Sequence, residues 1–75
     1  MFSLSQLQTG EMAKVTRLDV TGAIRRRLHD IGLIEGTKVK CVLKSPLGDP
    51  KAYEIRGALI AIREEDTSKI YCKKI

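Results

Sequence analysis

The chain has 75 residues, of which 43% are hydrophobic, and its 14 Lys and Arg against 9 Asp and Glu leave a formal charge of +5. That length fits one domain over residues 1–75 and excludes a second, while the apolar content excludes a disordered chain. The longest apolar run is Ala58–Ile62, too short for a membrane-spanning helix, and the N-terminus lacks a basic segment leading into an apolar signal core, so the sequence reads as cytoplasmic.

In chain order, "SLSQLQTGEM" sets Leu4 and Leu7 at helical spacing ahead of Gly10, which predicts one short helical turn closed by the glycine. The segment "AKVTRLDV" alternates as a strand, but Leu18 and Val20 are out of phase with Ala13 and Val15, which predicts a bulge or strand end near Arg17. A helix follows, with Thr21 as N-cap and Gly32 at its C-terminal end. Ile24, Leu28 and Ile31 form its apolar stripe, Arg25 and Arg27 flank that stripe, and Arg26, His29 and Asp30 face away. Arg26 and Asp30 are four apart and placed to pair across one turn.

Beyond Gly32, "TKVKCVLK" reads as a strand with one solvated face, interrupted by Val42 on its polar side. "SPLGDP" is a loop by its turn chemistry. Two strands, "KAYEIR" and "ALIAIR", meet at Gly57 in a tight turn or barrel corner, and an acidic turn "EEDTS" leads to the last strand, "KIYCKKI". The resulting fold class is mainly β, a small five-stranded, partly open barrel with one α-helix inserted between strands 1 and 2. Its expected core is Val15, Ile24, Leu28, Val39, Cys41, Leu43, Ile55, Ile60, Ile62, Ile70 and Cys72.

Catalytic and ligand-binding patterns are sparse. His29 is the single histidine, Cys41 and Cys72 lack Cys-x-x-Cys spacing and read as buried free thiols, and Glu64–Asp66 lacks the oxygen spacing of a calcium loop. No phosphate-binding glycine loop occurs and no nucleophile has a base beyond His29, so neither catalysis, a cofactor nor a metal site is expected. The positive charge would suit nucleic acid, an anionic membrane or an acidic protein surface. With Phe2, Tyr53 and Tyr71 as its only aromatics, however, the chain lacks a platform for stacking bases and the ring-lined groove that reads proline-rich peptides.

Leu4, Leu7 and Gly10, then "RRRLHDIGLIEGTKV", "SPLGDP" and "LIAIREEDTSKIYC", in this order over essentially the whole chain, resemble the ferrous iron transport protein A (FeoA) family. Glu35 and Thr67 depart from the proline and alanine often found there. The resemblance implies an SH3-like barrel working in transition-metal uptake beside a ferrous iron membrane transporter, whose cytosolic GTP-binding domain is the expected partner. The expected docking residues are Arg25 and Arg26 as charged contacts, Leu33, Ile34 and Leu47 as exposed apolar groups, and Leu28 as a core residue or the floor of a groove. No membrane insertion is expected; beside that transporter the chain is expected in the cytoplasm at the inner face of the cell membrane, and free strand edges would allow pairing between copies. The rival readings are a nucleic-acid-binding barrel using Arg25–Arg27 and a metal-responsive regulatory domain.

Overall fold

The computed structural model describes residues 1–75 as one antiparallel sheet with strand order β1-β6-β2-β3-β4-β5. The strands are β1 (Phe2–Ser3), β2 (Met12–Leu18), β3 (Lys38–Lys44), β4 (Lys51–Ile55), β5 (Ala58–Ile62) and β6 (Ile70–Lys74). Helix α1 (Gly22–Asp30) lies between β2 and β3, and the acidic segment forms a short helix, α2 (Glu64–Thr67), rather than a simple turn. The mainly β architecture with its inserted helix is as expected. The sixth strand, β1, is new, because two residues carry no readable periodicity.

The sheet curls without closing, since β1 and β5 remain its two edges. The gap is bridged by side chains. Leu4–Gln6 form a 3-10 turn in which Leu4 and Leu7, three apart and therefore eclipsed, are both fully buried. The Lys51 ammonium on β4 donates to the carbonyls of Ser5 at 2.7 Å and Leu7 at 2.9 Å, and the Tyr53 hydroxyl donates to Leu4 O at 3.4 Å. Three carbonyls of this N-terminal segment, those of Leu4, Ser5 and Leu7, thus accept from β4, nearly fifty residues later. Gly10 does not close the turn; its N–H donates instead to Cys41 O at 2.7 Å.

Two bulges set which side chains face inward. The phase shift read in β2 is a register shift between Val15 and Arg17, opposite β6. A second, between Cys41 and Leu43, leaves Val42 unpaired and places Leu43 opposite Ala52. A single extra residue moves every later side chain to the other face. Leu43, expected in the core, is consequently 56% exposed. The core holds Leu4, Leu7, Ala13, Val20, Leu33 and Tyr53 in addition to most of the expected residues, while Ile24 and Ile60 pack half-buried at its margin. Each fully buried aliphatic side chain contributes about 1.5–3 kcal/mol. Cys41 and Cys72 are buried free thiols, and burial raises the Cys72 thiol pKa above its ordinary value.

The β4–β5 connection is a two-residue hairpin, Arg56-Gly57, with φ of 51° and 84°. Two successive positive φ values match the right-handed strand twist. The tight turn expected at Gly57 is present, with arginine in a position that costs a side-chain-bearing residue some strain.

Candidate functional site

Helix α1 is held against the barrel by its C-terminal end. With Gly32 at φ +88°, its N–H donates to His29 O at 3.0 Å and the Leu33 N–H donates to Leu28 O at 2.9 Å. This paired closure brings the residue after the glycine onto the last turn, so Leu33 packs beside Leu28. Leu33 is only 1% exposed. Its expected role as an exposed apolar docking group is therefore corrected: it is a core residue, and its burial follows from the helix ending itself.

The segment that follows is bonded in from both sides. Thr37 Oγ1 donates to Gly32 O at 2.8 Å and accepts from the Ile34 N–H at 3.1 Å, while Gly36 N–H donates to Val15 O at 2.8 Å. Arg56 Nε also donates to Gly32 O, at 3.3 Å. At the other end Thr21 occupies the N-cap position, but its hydroxyl makes no capping bond.

This anchoring leaves two clefts between α1 and the sheet, besides a depression on the helix's outer side. One, of about 430 Å³, runs between α1 and β5–α2. Leu28, Ile24 and Ile31 line its helical side, Ile60 and Ile62 its sheet side, and Arg27, Arg63, Glu65 and Asp66 are among the polar residues that also line it. The other, of about 450 Å³, lies between α1 and the end of β2 and is lined by Arg17, Leu18, Arg25, His29, Ile34 and Glu35, with Leu33 beneath. An apolar cleft with convergent charges at its margin is the form a recognition site takes.

The expected docking residues distribute unevenly over these surfaces. Leu28 forms part of the first cleft while 4% exposed, which combines the two placements expected of it. Arg25 and half-buried Ile34 line the second cleft. Arg26 is exposed on the helix's outer side, near Ala23, Arg27 and Asp30. Leu47 is 95% exposed at the tip of the β3–β4 loop and lines neither cleft. Arg26 and Asp30 do not pair; the protein's ion pairs are Arg17–Asp19 at 2.7 Å and Lys74–Glu11 at 2.6 Å. Arginine N-terminal to an acid is the weaker order along a helix, and an exposed pair gains little against side-chain entropy.

Sequence reasoning missed the sheet side of the first cleft, assigning Ile60 and Ile62 wholly to the core. No sequence signal marks that side, because the Ile24–Leu28–Ile31 stripe is a narrow one and the distance between α1 and β5 follows from packing alone. No three His, Cys, Asp or Glu side chains converge anywhere in the chain.

A strongly bent antiparallel sheet with a short crossing helix and a polar-bonded N-terminal closure defines a small SH3-like barrel domain. The FeoA domain model matches residues 2–74, and the chain belongs to that family. The Fe(2+) transport protein A/Fe(2+) transporter FeoB fusion protein of Porphyromonas gingivalis is 36% identical over 67 residues, covering 89% of this chain. This chain spans 8% of that fusion protein's length. The solution structure of FeoA from Chlorobium tepidum matches with a TM-score of 0.93 at 36% identity, covering 99% of this chain and 70% of that one. FeoA of Stenotrophomonas maltophilia, solved in complex with zinc and described as a prokaryotic SH3 domain protein, matches with a TM-score of 0.83 at 27% identity, covering 97% and 91% of the two chains.

Proposed function

We propose that this chain is a non-catalytic accessory domain of ferrous iron uptake, acting in the cytoplasm by docking on the GTP-binding part of the ferrous iron transporter. The observation that carries this reading is the Porphyromonas gingivalis relative, in which a domain of this family and the transporter share one polypeptide. Two modules joined in one chain work at high mutual effective concentration, and the same pair as separate chains must find each other by binding. The cleft between α1 and β5 supports this function, because its half-buried isoleucines offer an apolar anchor and its charges a polar rim. Exposed Arg25, Arg26 and Leu47 and half-buried Ile34 are the remaining contacts we assign to docking; Leu28 supports the cleft from below.

The test is titration of the purified chain against the transporter's cytosolic GTP-binding domain, with Ile60→Ser and Arg63→Glu as cleft variants. Ile60 and Arg63 are not fully buried, so both variants should fold. Binding of the wild type that weakens by roughly tenfold or more in either variant supports the cleft. Unchanged affinity in both moves docking elsewhere, and absence of wild-type binding rejects the function.

A further inference from the structure

The outer face of the sheet carries a feature that the docking cleft does not use. In the β2–β3 pairing Lys14 stands directly opposite Lys38, and in the β2–β6 pairing the same Lys14 stands directly opposite Lys73. Three lysines therefore form one row across three adjacent strands, all of them exposed. Directly opposed residues on a sheet have Cβ atoms about 5 Å apart, and like charges so placed repel. None of the three has a carboxylate within ion-pair distance, since the protein's ion pairs are Arg17–Asp19 and Lys74–Glu11. Lys40 and Arg56 line the shallow depression next to the row, together with Met12, which is 46% exposed. Glu54, opposite Lys40, is the acid on that part of the face.

We propose that this lysine row is a contact surface for anionic lipid headgroups, so that the domain lies with the outer face of β6, β2 and β3 against a negatively charged bilayer. The composition of the face distinguishes this from other partners. Protein interfaces are depleted in lysine and built around aromatic or arginine anchors, whereas this row is lysine throughout. Single-stranded nucleic acid needs open rings for stacking, and the ring on this face, Tyr71, is covered by the Arg17 guanidinium at 4.9 Å from its centroid. A bilayer offers laterally mobile single charges, and a row of flexible ammonium groups on neighbouring strands can each meet one of them. Bound lipid phosphates would also relieve the repulsion within the row. The cleft beside α1 is lined by none of these lysines, so the inference stands independently of transporter docking.

The test is co-sedimentation of the full chain with vesicles of equal parts phosphatidylglycerol and phosphatidylcholine, against vesicles of phosphatidylcholine alone. The Lys14→Gln/Lys38→Gln/Lys73→Gln variant is compared with Arg25→Gln/Arg26→Gln/Arg27→Gln, which removes the same charge from the helix. We expect binding to the anionic vesicles alone, weakened by added salt and reduced on the order of a hundredfold in the lysine variant, at roughly fivefold per lysine. The arginine variant should retain most of the binding. The lysine variant should melt no lower than wild type, which separates loss of binding from loss of fold. Equal losses in the two variants would reduce the effect to net charge and overturn the proposal. So would binding to both vesicle types or to neither. Retention of the wild type by duplex DNA at the same salt, lost in the lysine variant and without vesicle binding, would reassign the row to nucleic acid.

Discussion

Gly32 carries two constraints at once. Its φ of +88° is a conformation that costs other residues about 1–2 kcal/mol, and a Cβ there would sit 2.4 Å from Cδ of Arg56. The Arg56 side chain is exposed and can swing aside, but doing so breaks its bond to Gly32 O. Gly32→Ala is expected to lose about 2 kcal/mol in urea unfolding, and adding Arg56→Ala to recover only the contact part of that loss. Full recovery in the double variant would show that backbone conformation contributes nothing there. Leu33 illustrates how such a residue escapes sequence reasoning. Helical spacing marks Ile24, Leu28 and Ile31, but Leu33 lies outside the helix and is buried by the turn that Gly32 makes. The legible signal was the glycine together with an apolar residue five positions after Leu28.

At the level of elements, the strands of β2 to β6, the α1 stripe and the bulge in β2 could all be read from alternation and its interruption. The bulge in β3 showed only as Val42 on the polar side, an interruption that, between apolar Cys41 and Leu43, does not by itself separate a bulge from an apolar surface residue. Barrel closure was equally hidden, since it rests on hydrogen bonds from β4 to a turn far away in sequence. Lys51→Met keeps the side chain's length and removes both bonds to Ser5 O and Leu7 O. It is expected to cost about 2 kcal/mol and to speed hydrogen exchange selectively in residues 3–7. Uniform acceleration across the sheet would mean that the turn and the strands open together. The docking cleft was half visible: its helical wall follows from periodicity, whereas its sheet wall depends on how far α1 stands from β5.

For the whole molecule, the ionisable groups predict the pH range over which the fold is kept. Burial, with smaller contributions from Cys41 and Asp49, pushes the Tyr53 hydroxyl up to about 12. Because the folded state holds this proton more tightly than the unfolded chain, Tyr53 contributes its full stability below its ordinary value of 10.0, and that contribution is lost as the pH rises toward 12. Cys72, raised by burial, acts in the same direction from its ordinary value of 9.0 upward. In the acid range the sign reverses. The Lys74 ammonium, helped by the Gln8 N–H, lowers the Glu11 carboxyl, whose contribution is present above 4.5 and lost as the pH falls through its folded value. Unfolding measured across the alkaline range should therefore show a decline that is shallower in Tyr53→Phe; parallel curves would mean that the phenol titrates alike in both states.

The pairing of β1 with β6 has a further consequence for how such a domain can be joined to others. Phe2 stands opposite Cys72 in an antiparallel register, so the two ends of the sequence leave the sheet side by side from neighbouring strands. A host chain could enter and leave through adjacent points, and splicing this domain into an exposed loop would ask that loop to open by little more than the spacing between two strands, about 5 Å.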